Sequence, residues 1–221
     1  MKPKREKRGQ FIVIAIMLTA IMIISIGALM HGTITYYKHE PWEEYSTLIG
    51  DIEINSQRVV EFCLADYTNS RGGNLTEALS KWQHDLTVIY PSSGIRLKSA
   101  GYLLTQSPYS TAKVTEFNLD IDSIGLEGYK FSITVSLSLE ASIDTTITPY
   151  NIAAVVKSES GEPVTGLKKE DFTINGDQIP KSLAPYYDEA KTLVYRIEFE
   201  GTPTSVRVTD HRGISAVDSI P

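Results

Sequence analysis

A stretch of twenty residues without a charge, Phe11 to Met30, constrains this chain more than any other part of its sequence. In a helix it would extend about 30 Å, because each residue adds about 1.5 Å, and this length matches the hydrocarbon core of a bilayer. Five basic residues come before it: Lys2, Lys4, Arg5, Lys7 and Arg8. Because a basic flank stays on the cytoplasmic side, the sequence predicts a single-pass transmembrane helix at the cell membrane, with residue 31 onward outside.

Three fates are open to the apolar segment. It can stay in the membrane as an uncut anchor. It can also be removed as a secretory signal peptide by a cut after Gly27, because Phe11 to Ile24 has the length of a signal-peptide apolar region and Ser25 is small. That cut would release a soluble protein. The third fate is a cut on the cytoplasmic side of the helix, before Phe11.

The third fate depends on the residues Lys7-Arg8-Gly9-Gln10-Phe11, a basic pair and a glycine directly before the apolar helix. This arrangement resembles the prepilin-type leader of type IV pilins, especially archaeal pilin-like proteins. The resemblance implies a processing site between Gly9 and Gln10, a helix that is kept as anchor, and self-assembly through that helix. Many pilins carry a glutamate at the fifth position of the processed chain, where this sequence has Ile14.

Charge and cysteine content restrict what the rest of the chain can bind. Residues 31–221 carry 16 basic and 26 acidic residues, a net charge of −10. An acidic exterior argues against nucleic acid and against lying on anionic headgroups, so membrane lipid is expected to contact the apolar helix alone. Cys63 is the only cysteine, which excludes a disulfide within the chain. It is either buried or pairs with a second chain.

Two amphipathic helices are predicted next. In the first, apolar residues recur at helical spacing up to about Tyr67, namely Tyr45, Leu48, Ile49, Ile52, Val59, Phe62 and Cys63. A turn with Gly72-Gly73 precedes the second, whose stripe is Leu75, Leu79, Trp82, Leu86 and Ile89. Together they predict an antiparallel helical hairpin. Asn74-Leu75-Thr76 begins the second helix and is the only N-x-[ST] sequence, so Asn74 is a candidate glycosylation site as well as a helix cap.

The clearest strand runs from Tyr129 to Ile143, fifteen residues in which apolar and polar side chains alternate. Such an alternation gives a strand one buried and one solvated face. Phe117, Leu119 and Ile121 alternate in the same way before a turn with Gly125 and Gly128. We expect a β-hairpin whose apolar face packs on the two helices.

Beyond Pro149 the sequence predicts short strands separated by turns. The candidates are Ile152–Val156, Phe172 with Ile174, Leu193–Phe199, and Val206 with Val208. Strands of this length and spacing are typical of a small β-sandwich. The runs Val155–Asp177 and Val206–Ala216 resemble immunoglobulin-like modules of prokaryotic surface proteins, and the resemblance implies display, spacing or adhesion.

The predicted fold class is therefore α+β, in four parts. Residues 1–10 are a cytoplasmic basic flank, 11–30 a transmembrane helix, 31–145 an extracytoplasmic α+β domain, and 146–221 an immunoglobulin-like β-sandwich domain.

Catalytic chemistry is not predicted. The sequence has no G-x-S-x-G, H-E-x-x-H, P-loop or paired-cysteine motif. His211, in Asp210-His211-Arg212-Gly213, fits a turn between strands better than an acid/base pair. Asp120 and Asp122 have the spacing of a calcium loop, but Ile124 stands at the next ligand position. We expect no enzyme, metal or cofactor, and instead a structural surface protein with an unknown protein partner. The alternative is an accessory binding subunit of an envelope or transport complex, with the long β-hairpin as its docking surface.

Overall fold

The computed structural model describes residues 16–29, 42–106, 109–144 and 150–220. These residues form α-helices and antiparallel strands, which confirms the α+β class. The helices are α1 (residues 16–29), α2 (Trp42–Thr68) and α3 (Leu75–Ile89). The strands are β1 (Ile95–Thr105), β2 (Ser110–Ile121), β3 (Leu126–Asp144), β4 (Tyr150–Ser158), β5 (Phe172–Ile174), β6 (Ser182–Tyr187), β7 (Leu193–Phe199), β8 (Ser205–Thr209) and β9 (Ser215–Ser219).

The chain divides into two compact units, Met1–Asp51 and Ile52–Pro221, and the division falls inside α2. In the first unit, α1 covers fourteen of the twenty residues predicted to cross the membrane. Residues 11–15 and 30 of that prediction, and the basic flank 1–10, lie outside the described residues. Among the described helices, none has the length and hydropathy that a membrane crossing requires.

The part of α2 in the second unit buries one face in the core. Its buried positions are Ile52, Ser56, Val60, Cys63, Leu64 and Thr68, and apart from the adjacent pair Cys63 and Leu64 they recur at steps of three or four residues. The predicted stripe is therefore partly wrong, because Phe62 is 68% exposed. Successive helical residues are about 100° apart, so Phe62 points away from a face centred on Ser56 and Val60.

The second helix begins and packs as expected. Asn74 caps α3, and Leu75, Leu79 and Leu86 are buried, whereas Ile89 at its end is 56% exposed. Trp82 links the helices, because its Nε1 atom donates a hydrogen bond to the Ser56 hydroxyl oxygen over 3.0 Å. At the turn, a side chain on Gly73 would overlap the Cys63 carbonyl oxygen and the Tyr67 backbone nitrogen. Glycine at this position therefore permits the close approach of the turn to α2.

A six-stranded antiparallel sheet, in the order β1-β2-β3-β4-β7-β6, forms the main layer of the second unit. The alternation predicted for β3 is confirmed: Ile133, Val135, Leu137 and Leu139 are buried, with polar residues between them. The predicted β2–β3 hairpin is also present, and its turn ends at Gly125, whose φ of 66° suits glycine. Helix α3 contacts β1 of this sheet.

The boundary expected near residue 146 falls inside this sheet and does not separate two domains. β3 pairs with β4 over eight residue pairs, from Leu137–Ser158 to Asp144–Asn151, and β4 pairs in turn with β7. Residues 52–221 accordingly form one compact unit. The physical reason is that β3 is nineteen residues long, so its second half is free to pair with the strand that follows.

The strands β5, β8 and β9 form a second, three-stranded antiparallel sheet. It packs on the larger sheet: the Phe172 and Tyr195 rings lie 5.5 Å apart, and the Ala141 backbone N–H donates to the Asp218 carboxylate over 2.8 Å. The later half of the chain is therefore two-layered, as expected for a sandwich, although its larger layer continues into the earlier half.

Candidate functional site

Of the residues proposed from sequence as sites, Gly9 and Gln10 lie outside the described residues. Asn74 is exposed and caps α3, because its Oδ1 atom accepts hydrogen bonds from the backbone N–H groups of Thr76 (3.1 Å) and Glu77 (3.3 Å). The amide nitrogen, which is the atom that a glycan would modify, takes no part in this cap. Capping and glycosylation of Asn74 are thus compatible.

The two aspartates with calcium-loop spacing lie beside an arginine. Arg96 is 2.8 Å from Asp122 and 3.8 Å from Asp120, and Asp120 also accepts a hydrogen bond from the Gly128 backbone N–H. One guanidinium thus offsets part of their negative charge. Across the described residues, no group of three or more potential metal ligands converges.

The tetrapeptide Asp210-His211-Arg212-Gly213 forms the turn between β8 and β9, with the Gly213 N–H donating to the Asp210 carbonyl oxygen over 2.9 Å. His211 is exposed, whereas the Asp210 side chain is fully buried. Asp210 accepts from the backbone N–H groups of Arg212 (3.0 Å) and Ile214 (3.1 Å). These contacts give Asp210 a structural role, because it holds the turn in place.

Arg212 lies at the centre of a partly buried ionic network. Its guanidinium donates to Asp210 (2.8 Å), Glu159 (2.9 Å) and the Ser136 carbonyl oxygen (3.2 Å). Burial acts to raise the pKa of Glu159, but the backbone hydrogen bonds and the guanidinium outweigh burial and hold that pKa below its usual range. Burial acts to lower the pKa of Arg212, and the hydrogen bonds to Glu159 and Asp210 outweigh it, so that pKa is raised. The network joins β3 and the turn that follows β4 to the β8–β9 turn.

The helices α2 and α3 of the second unit enclose an open groove between them, which we call the helix groove. It has a volume of about 380 Å³ near its middle, and α2 and α3 contribute four lining residues each: Asn55, Arg58, Val59, Phe62, Ala78, Lys81, Trp82 and Asp85. Toward the glycine turn the groove continues for about another 230 Å³ past Phe62, along Asp66, Gly73 and Glu77.

Phe62 is the main apolar group of the helix groove. It borders both sections, and 68% of its surface is exposed. Val59 and Trp82 lie beside it and are half-buried. A large aromatic ring at the centre of a groove with a charged rim is typical of a protein-binding surface.

Cys63 lies beneath the groove and is 2% exposed. Burial, followed by the nearby negative charge of Asp66, raises the pKa of the Cys63 thiol to about 11. The thiol is therefore protonated at neutral pH and a poor nucleophile. This outcome matches the buried alternative for Cys63 and not the interchain disulfide.

The chain matches no protein-family model, and no significant similarity to a curated protein or to a solved structure was found.

Proposed function

We propose that this chain is a non-catalytic, single-pass membrane protein that carries its folded residues on the outer side of the cell membrane as part of the cell surface. The observation that supports the anchor best is the character of α1. Its large apolar side chains are between 49% and 71% exposed within the described residues. A helix that is apolar all round needs an apolar environment on every side, and lipid provides one.

We further propose that the chain is a pilin-like subunit, processed between Gly9 and Gln10. That cut would remove every basic residue of the flank and keep the apolar helix, which could then pack against the same helix in neighbouring subunits. The two-layered arrangement of the later strands is consistent with an immunoglobulin-like display role. Both refinements rest on sequence resemblance, and the exposed apolar α1 lends physical support to the first of them.

The alternative function, an accessory binding subunit of an envelope or transport complex, is favoured by the helix groove. Its docking surface would differ from the one expected from sequence. The apolar face of the β2–β3 hairpin is buried, including Phe117, Leu119 and Leu137, so the hairpin has only its polar face to offer. Phe62, in contrast, is available to a partner.

Filament isolation separates the two functions. Surface filaments sheared from cells that make the full chain should contain it if it is a pilin-like subunit. An accessory subunit would stay with the membranes and be missing from the filaments.

Membrane extraction tests the anchor itself. The full chain should resist extraction by alkaline carbonate. Ile23→Arg should weaken insertion, because an arginine near the centre of a membrane helix costs about 2.5 to 3.5 kcal/mol, whereas Ile23→Leu should have no effect. Complete carbonate extraction of the unaltered chain would contradict the proposed anchor.

A further inference from the structure

We propose that the helix groove binds the helix groove of a second copy of this chain, which forms a two-fold symmetric dimer outside the membrane. The proposal concerns only residues of the compact unit Ile52–Pro221 and does not depend on how the N-terminus is processed. It rests on an exposed aromatic ring, an unfilled groove and an arrangement of charges that complements itself.

The apolar part of the interface would be centred on Phe62. This ring stands 68% exposed at the point where the two sections of the groove meet. In a symmetric dimer with its axis near Phe62, each ring would enter the groove of the other copy, beside Val59 and Trp82. Buried aromatic anchors near the centre of an interface contribute most of the binding free energy.

The charges of α2 are placed evenly about this ring. Arg58 comes four residues before Phe62 and Asp66 four residues after it, so each lies about 6 Å from it along the helix axis. In α3, which runs antiparallel, Glu77 lines only the section toward the glycine turn, whereas Lys81 lines both sections. The charged residues of the section with Arg58 are Arg58, Lys81 and Asp85, a net charge of +1. Those of the section toward the glycine turn are Asp66, Glu77 and Lys81, a net charge of −1. One end of the groove is thus cationic and the other anionic.

A two-fold axis across the groove reverses its direction in the second copy. The cationic end of each groove then faces the anionic end of the other, with Arg58 opposite Asp66 and Lys81 near Glu77. Within the described residues, none of these four side chains forms an ion pair of its own. A symmetric interface requires a surface that complements itself, and this arrangement meets that requirement. A parallel arrangement would bring like charges together.

A charge exchange between Arg58 and Asp66 tests the symmetry directly. We expect the full chain in detergent to sediment as a dimer whose dissociation constant rises with salt. Arg58→Glu and Asp66→Arg should each weaken the dimer about tenfold, because each places like charges opposite one another. The double variant should regain most of the affinity. Residues 58 and 66 are eight positions apart on one helix and are not neighbours within it, so recovery must arise between copies.

A second pair of variants tests the apolar centre. Phe62→Ser should weaken the dimer by about tenfold or more. Ile54→Ser is the matched control, since Ile54 is 53% exposed on the same helix but does not line the groove, and it should leave the affinity unchanged. Circular dichroism should show all variants folded.

Three results would overturn the proposal. The first is a chain that stays monomeric at concentrations of about 100 μM, far above the dissociation constants of specific complexes, which would leave the groove to a different protein. The second is a dimer unaffected by Phe62→Ser, as expected if copies associate through their apolar N-terminal segments alone. The third is a double charge variant whose dimer loses as much binding free energy as the two single variants lose together.

Discussion

Arg207, in β8, donates a hydrogen bond from its Nη2 atom to the carbonyl oxygen of Thr68, the last residue of α2, over 3.1 Å. The same atom lies 2.8 Å from Asn69 Oδ1 and 3.1 Å from the Ser215 hydroxyl oxygen. A cation at the C-terminus of a helix satisfies free carbonyl groups and opposes the negative end of the helix dipole. The C-terminal strands thus hold the end of a helix that lies 139 residues earlier in the chain.

Removal of this cation should destabilise the fold. Arg207→Met should lower the free energy of unfolding by about 1.5 to 3 kcal/mol, because it leaves partly buried acceptors on Thr68 and Asn69 without their charged donor. Urea titration of the full chain in detergent measures this change. Arg71→Met, at an exposed arginine close to the same helix end, is the matched control and should change stability by less than about 0.5 kcal/mol. Equal effects of the two variants would argue against the contact.

The free energy of unfolding should fall in acid, and part of this loss should come from protonation of the Glu159 carboxylate. The pKa of this group is lower in the folded protein than in the unfolded chain, where it is about 4.3. Its stabilising contribution is therefore complete above pH of about 4.3 and is lost as the pH falls through the folded-state pKa. Glu159→Gln should flatten the dependence of unfolding free energy on pH in this range. An unchanged slope in Glu159→Gln would contradict this assignment.

The continuous sheet predicts cooperative unfolding across residue 146. Leu137→Ala should cost roughly 2 to 5 kcal/mol, because Leu137 is fully buried in the central strand. Since β3 pairs with β4, the loss should appear equally in amides of β2 and of β7 measured by hydrogen exchange. If the Leu137→Ala variant kept the exchange protection of β7 amides while β2 amides lost theirs, the result would support a domain boundary near residue 146.

The strands predicted from sequence are those with one buried face. The alternation alone identifies β3, because the side chains on one face of this strand are buried and those on the other face are exposed to solvent. Three strands were not predicted. β1 contains Gly101 in a left-handed conformation (φ 73°), which interrupts its alternation, and β6 lies at a sheet edge, where Pro185 is tolerated. The third, β9, has only five residues, among them Ser215 and Ala216, and too few large apolar groups for a pattern.

The helix groove could not be predicted because the sequence does not show which apolar residue of a stripe faces outward. Phe62 and Cys63 are adjacent and both fit helical spacing, yet only Cys63 is buried. The packing of α2 around Ser56, whose hydroxyl oxygen accepts a hydrogen bond from Trp82, determines which face of the helix is buried. A polar residue at the centre of a buried stripe is not visible as part of an apolar pattern.

The three possible fates of the N-terminus predict three distinct masses for the mature chain. A cut between Gly9 and Gln10 removes nine residues, an uncut anchor retains Met1, and a cut after Gly27 releases a soluble protein. We predict the first, measured by intact mass on protein from its native membrane. Gly9→Leu should abolish this cut alone, because it changes the residue next to the broken bond and leaves Gly27 in place. A mature chain that begins at Met1 would end the pilin-like proposal and leave the plain anchor.

The side of the membrane on which the folded unit lies is the most direct test of a surface protein anchored by its N-terminus. A reporter that is active only outside the cytoplasm should be active when it is fused after Pro221, and the same reporter fused before Met1 should be inactive, since the basic flank stays inside. Activity of the Pro221 fusion in the cytoplasm, with none outside, would contradict the anchored, outward-facing protein proposed here.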